Sequence, residues 1–169
     1  MSSVYVGESG IHGVGVFAAR EFAPGETVLV MDDSRVVDDE HPLRPELGEY
    51  AHHCDYLAGG LVVLQGWPER HINSSCDPNA YARRDERGGR VVARCPVKAG
   101  EEITCGYIID CHGGEVWQCN CGSARCRGTI VSSFFELPLA RQLEYLPLLN
   151  EWFVGEHGEE VEALRRLSR

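Results

Sequence analysis

A mainly β body carrying a short α-helical C-terminal tail is the fold that this 169-residue sequence predicts. Two observations predict it. Residues 1–131 hold 17 of the 19 glycines and all eight cysteines, with apolar residues in short bursts cut by Pro/Gly turns. That is the texture of small sheets joined by tight connections. Beyond Ser132 the apolar period becomes helical, through Leu137, Leu143, Leu146, Leu148, Leu149, Trp152 and Phe153, then Val161, Leu164 and Leu167.

The bursts Thr27–Met31, Leu61–Leu64 and Arg90–Ala93 read as strands. Pro24-Gly25 and Lys98-Ala99-Gly100-Glu101 read as matched turns, each followed by a β-type run, Thr27–Met31 and Ile103–Ile109. In His12-Gly13-Val14-Gly15-Val16-Phe17, two glycines either admit a ligand to the backbone or form a hairpin. The third glycine of a dinucleotide-binding fingerprint is missing. Pro138 and Pro147 stand where each can open a helix. The tail is thus expected as two or three short helices docked on the β body. The alternative is a partner-binding or dimerising surface.

At 18.7 kDa the chain fits one domain with a short appendage, large enough to bury a core without disulfide staples. Sixteen Lys+Arg against 26 Asp+Glu give a net charge of −10. This argues against direct binding of nucleic acid, which needs a basic face, and suits a Lys/Arg-rich partner. No apolar run approaches the ~18 residues of a membrane-spanning helix. Met1–Tyr5 lacks the basic-then-apolar start of a secretion signal. A reducing cytoplasm is therefore the expected compartment, where cysteines serve as metal ligands or free thiols rather than disulfides.

Cys119-Asn120-Cys121-Gly122-Ser123-Ala124-Arg125-Cys126 is a C-x-C-x4-C triplet, one thiolate short of a tetrahedral S4 zinc site. Spacing leaves the fourth ligand open among Cys54, Cys76, Cys95, Cys105 and Cys111. Arg70-His71-Ile72-Asn73-Ser74-Ser75-Cys76-Asp77-Pro78-Asn79 is dense in polar groups and turn formers. Asn73 and Asn79 there can each fix a polar ligand or a crossing segment. Glu101-Glu102-Ile103-Thr104-Cys105-Gly106-Tyr107 ends on a single phenol, core or catalytic. His52 and His53 beside Cys54 read as surface or strand-edge histidines, and Cys95 and Cys111 as ordinary thiols.

Each piece is ambiguous alone, but their order is specific. A G-x-G, then R-x-x-N-x-S-C-x-P-N, then G-E-E-I-T-x-x-Y, then C-x-C-x4-C-R-G resembles the SET-domain protein lysine methyltransferases with a post-SET zinc segment. The resemblance covers residues 9 to about 131 and implies a SET domain at 1–118, a post-SET zinc segment at 119–131 and a helical extension at 132–169. It implies several small β-sheets with a knot-like crossing of the asparagine and tyrosine segments. The implied cofactor is S-adenosylmethionine, bound by His12, Gly13, Val14, Gly15, Arg70, Asn73, Ser74, Tyr107, Cys121 and Ile130. Tyr107 is implied at the methyl-transfer centre, with Tyr50 as a channel tyrosine. Cys76 joins Cys119, Cys121 and Cys126 around one structural Zn2+.

The implied reaction moves a methyl group to the side-chain amine of a lysine in a basic protein or peptide. Such a displacement needs a neutral amine aligned with the donor, and alignment in a channel can supply roughly 7–11 kcal/mol. The implied compartment is cytoplasmic in a bacterium or archaeon and nuclear in a eukaryote. The sequence departs from the pattern at Ser74, where the family has histidine, and at Cys105-Gly106 before the tyrosine. Cys105 is smaller than the usual aromatic, so a wider channel and di- or trimethylation are expected. The aromatic that often follows C-R-G is missing, leaving Ile130 or Phe134 to cover the cofactor. Two rival readings are an inactive, zinc-stabilised SET-fold module that binds peptides, and a methyltransferase acting on small amines.

Overall fold

In the computed structural model, which describes residues 2–168, the β body is built from short strands in several small sheets. Strands β1 (Val4–Glu8) and β2 (Val14–Ala18) form an antiparallel hairpin across the G-x-G segment. On one face Val4, Val16 and Ala18 are buried; on the other Tyr5 stacks on Phe17 at 5.6 Å. This period-two alternation is what a half-buried strand requires. β2 also pairs with β9 (Glu102–Cys105), and β9 pairs in parallel with β6 (Asn73–Ser74). The sheet order is therefore β1-β2-β9-β6.

A second sheet orders β3 (Thr27–Val30), β8 (Gly88–Ala93) and β7 (Ala80–Asp85); a third pairs β4 (Cys54–Tyr56) with β5 (Val62–Leu64). Gly25 and Gly100 sit at φ +82° and +83°, the left-handed region that only glycine enters freely. Their N–H groups donate to Ala93 and Ala18 carbonyls at 2.8 Å each, so the two turns are matched in role as well as composition. Val16, Val28, Val91, Val97 and Ile103 fill the core between the sheets.

The last hairpin pairs β10 (His112–Gln118) with β11 (Thr129–Ser133), its register broken by a bulge between His112 and Val116. The cysteine-rich loop is the tip of this hairpin, so the expected divisions at 118/119 and 131/132 fall beside and inside paired strands. Helices α1 (Leu139–Tyr145), α2 (Glu151–Glu156) and α3 (Gly158–Leu167) follow. Their apolar faces are consumed internally: Phe134, Tyr145, Leu149, Phe153, Val161 and Leu164 form a second core with Ile108 and Ile130. Asn150, 1 % exposed, ties the tail to β7, accepting from the Arg84 N–H at 2.7 Å and donating to the Ala82 carbonyl at 3.2 Å. Among the described residues no helix is long and apolar enough to cross a membrane.

Candidate active site

Everything at the site hangs from the parallel pairing of β6 with β9, which sets Asn73 opposite Thr104 and Ser74 opposite Cys105. The Ser75 N–H donates to the Cys105 carbonyl at 3.0 Å, and Ser74 Oγ accepts the Tyr107 N–H at 3.4 Å. Asn79 locks the crossing from below: its Nδ2 donates to the Glu102 carbonyl at 2.8 Å and its Oδ1 accepts from the Thr104 N–H at 2.9 Å. Asn79 thus fixes crossing segments, whereas Asn73 faces the G-x-G.

The Asn73 amide nitrogen lies 2.8 Å from Glu102 Oε1, 3.0 Å from Ser9 Oγ, 3.1 Å from the Val14 carbonyl and 3.3 Å from the His12 carbonyl. Ser9 Oγ donates to Glu102 at 2.8 Å and accepts the Ile11 N–H at 2.9 Å. A Cβ at Gly15 would run into the Glu102 carboxylate and push it away from Ser9 and Asn73. Ser9 and Glu102 escaped sequence reasoning, being 93 residues apart and joined only in the fold.

Above this platform opens a cavity of about 710 Å³, lined by His12, Gly13, Val14, Arg70, Asn73, Ser74 and Tyr107 together with His53, His71, Gln118 and Asn120. Arg70 Nε and His53 Nδ1 are buried there without a partner among the described residues. Burial, then the neighbouring His52, Arg70 and His71, pulls the His53 imidazole down to about 4; burial also lowers His71. Both rings are neutral near pH 7, leaving Arg70 the lining's fixed cation. A free cation beside two backbone carbonyls and an amide is a donor set that fits the zwitterionic end of an amino-acid-like ligand such as S-adenosylmethionine.

A second cavity of about 620 Å³ meets the first at His52, Ile72, Tyr107 and Trp117, which line both. The Tyr107 hydroxyl donates to the Ile72 carbonyl. Burial pushes this phenol well above its ordinary range, so it stays protonated, although 51 % of the residue as a whole is exposed. Cys105 lines the same space, its thiol pushed up to about 12 by burial and therefore inert. Four carboxylates (Asp55, Glu69, Asp110 and Glu115) and one guanidinium, Arg84, also line it. From the tail come Asn150 and Trp152, whose indole N–H is buried without a partner among the described residues.

Beside the first cavity, the sulfurs of Cys76, Cys119, Cys121 and Cys126 all lie within 4.8 Å of one another. Cys76 and Cys119 are 3.7 Å apart, against the edge of about 3.8 Å that four Zn–S bonds of ~2.3 Å impose on a tetrahedron. Backbone N–H groups of Cys76 and Arg127 donate to Cys121 and Cys76 sulfurs at 3.5 Å each, the support that thiolate ligands normally receive. The four thiols fit a structural zinc ion. The Tyr145 hydroxyl donates to the Cys76 carbonyl at 3.2 Å, coupling the tail to the cluster.

Three expected cofactor or channel residues lie elsewhere. Ile130, 4 % exposed, faces the second core with Phe134 because the β10–β11 pairing turns it inward, and neither covers a cavity. Cys121 belongs to the sulfur cluster, and its neighbours Cys119 and Asn120 line the cavity instead. Tyr50, 45 % exposed, stacks on His52 at 5.5 Å and lines neither cavity. The aromatic that lines both cavities is Trp117, which lies before the cysteine triplet rather than after it. His52 is exposed and His53 directly precedes β4, as the surface or strand-edge reading expects, and both also line the first cavity, where burial lowers His53.

Comparison with known proteins bears on the same residues. The chain is 30% identical over 129 residues to a histone-lysine N-methyltransferase of Drosophila melanogaster, covering 70% of this chain and 6% of that protein. It is also 30% identical over 131 residues to one of Caenorhabditis elegans (71% and 9%) and over 146 residues to one of Arabidopsis thaliana (73% and 12%). The chain thus spans between 6% and 12% of the length of these curated relatives. A crystal structure from Plasmodium falciparum superposes on 63% of this chain and 94% of that chain at 20% identity, with a TM-score of 0.49. The SET-domain family model matches residues 13–108, from the G-x-G through the residue after Tyr107. That span takes in the crossing strands and most of both cavities, and the chain belongs to the SET-domain family.

Proposed function

We propose that the protein transfers a methyl group from S-adenosylmethionine to the side-chain amine of a lysine in a protein or peptide. One observation carries this reading: two cavities meet at a wall made by Ile72, Tyr107, His52 and Trp117, so donor and acceptor can approach one centre from opposite sides. When bound, S-adenosylmethionine supplies a methyl group on a positively charged sulfur, which needs no further activation.

The chain's own residues then have defined tasks. The His12 and Val14 carbonyls and the Asn73 side-chain oxygen can accept from an ammonium group, and Arg70 takes a carboxylate. Tyr107, held on the Ile72 carbonyl and kept protonated, positions the reacting groups rather than removing a proton. On the acceptor side, the carboxylates attract a lysine ammonium, while burial against Ile72, Cys105 and Trp117 favours the neutral amine that the displacement needs. Basic protein tails suit this electrostatics, histones being the substrates named for the relatives. The cysteine cluster would hold one zinc ion and pin the wall of the donor cavity.

The test is incubation of the purified protein with methyl-labelled S-adenosylmethionine and a mixed protein lysate, followed by mass spectrometry. Label on lysine side chains, absent with Tyr107→Phe, supports the reading. Calorimetry that detects no affinity for S-adenosylmethionine or its demethylated product overturns it.

A further inference from the structure

The four carboxylates of the acceptor cavity are not equivalent. Asp55 is ion-paired with Arg84 and accepts from Gln65 at 2.9 Å. Glu69 is 4 % exposed and accepts backbone N–H groups of Gly66 at 2.8 Å and Asp32 at 3.1 Å. Asp110 accepts from the Asn150 backbone and side chain. Of the four, Glu115 alone has a carboxylate with neither a hydrogen-bond partner nor an ion pair among the described residues, and it is exposed.

Its position is built. The β10 bulge carries Gly113 and Gly114, the latter at φ +106°, and Ser132 Oγ accepts the N–H groups of Gly114 at 3.2 Å and Glu115 at 3.1 Å. A bulge re-aims the residue beside it. From there strand alternation puts Glu115 and Trp117 on one face, while Val116, 63 % exposed, faces away. Trp117 stands at the junction with the donor cavity, so Glu115 lies two residues, roughly 7 Å, from the transfer centre along the strand. An uncommitted carboxylate whose backbone is pinned two residues from Trp117 is suited to read charge on the acceptor.

Resting on the lysine-methyltransferase reading, we propose that Glu115 is a specificity-determining residue that pairs with a cationic side chain of the substrate lying within two residues of the target lysine. An extended peptide advances about 3.3 Å per residue, so two residues span the separation between Trp117 and Glu115. The other carboxylates are occupied holding the cavity together and leave this charge as the one available to a flanking Arg or Lys.

The test uses short synthetic peptides with one central lysine, identical except for Arg, Ala or Glu at the two positions on each side, with labelled S-adenosylmethionine. Wild type is expected to favour an Arg-flanked peptide over its Ala counterpart by roughly fivefold in kcat/KM, the scale of a partly exposed ion pair. Glu115→Gln should bring that ratio close to one, and Glu115→Lys should reverse it in favour of a Glu-flanked peptide. Charge reversal is not something a merely folding-related role would produce. A flank preference that survives Glu115→Gln, or no flank preference in the wild type, overturns the assignment. Donor affinity is measured on the same samples by calorimetry. Peptides left unmethylated despite donor binding would overturn the lysine-acceptor reading, and the assignment with it.

Discussion

Tyr107 and Ile72 are joined by a hydrogen bond from phenol to backbone carbonyl, and both line both cavities. Removing the hydroxyl frees the ring to shift while leaving the apolar wall in place. Tyr107→Phe should lower kcat by about 10²-fold or more, the usual penalty for an ångström-scale misplacement. Donor affinity should change far less. Single-turnover kinetics beside calorimetry separates the two, and an unchanged kcat would remove Tyr107 from the transfer centre.

Cys105 lines the acceptor cavity two residues before Tyr107, where a small side chain leaves room beside the amine. The wild type is therefore expected to carry a lysine beyond the monomethyl stage. Cys105→Phe should stop at monomethyl-lysine by filling that room. Mass spectra of peptide product at high turnover distinguish these cases. Monomethyl product alone from the wild type would refute the expectation.

Asp110 connects the tail to the site and carries a pH signature. Burial holds its carboxyl at about 6 despite the Asn150 N–H groups that pull it down. In the unfolded chain an aspartate titrates near 3.9. The folded state therefore binds the proton more tightly, and the stability this contributes is complete below about pH 4 and lost as pH rises through 6. The loss amounts to roughly 2–3 kcal/mol. Asp110→Asn removes this dependence, so the stability of the variant relative to wild type should rise by that amount between pH 4 and 7. Urea titrations across the range would show it, and parallel curves would contradict it.

The sulfur cluster ties together residue 76 and the 119–126 loop, and through Tyr145 the tail as well. Elemental analysis should find one zinc per chain. Cys126→Ser, or stripping by a chelator, should lower Tm by more than about 10 °C. Because Cys119 also lines the donor cavity, affinity for S-adenosylmethionine should fall with it. Full stability without metal would mean that the four thiols pack unaided.

What was legible in the sequence was local. The apolar bursts around Val28, Val63 and Val91 became strands, and the glycines at 25 and 100 became left-handed turns. The change of period beyond Ser132 became the docked helices, because periodicity and turn chemistry act over a few residues. The placement of Asn73, Arg70 and Tyr107 around one space followed from motif order rather than from any local pattern. Ser9, Glu102, Asp110, Asn150 and Trp117 were invisible, since each acquires its meaning from a neighbour tens of residues away. Ile130 was misplaced for a related reason: a strand residue faces whichever side its pairing dictates, and the β10–β11 pairing turns it toward Phe134.

The parallel ladder between β6 and β9 also dictates when in folding the site can appear. Its two strands are separated by the whole β7–β8 hairpin and by the Gly100 turn, so the chain must close a long loop before Asn73 meets Thr104. Such non-local closure is slow and comes late. A chain with the hairpins formed but this crossing open would present neither half of the double cavity. Donor added during refolding should consequently leave the early phases untouched and bind only with the final one, making its fluorescence or heat signal a clock for the last step of assembly.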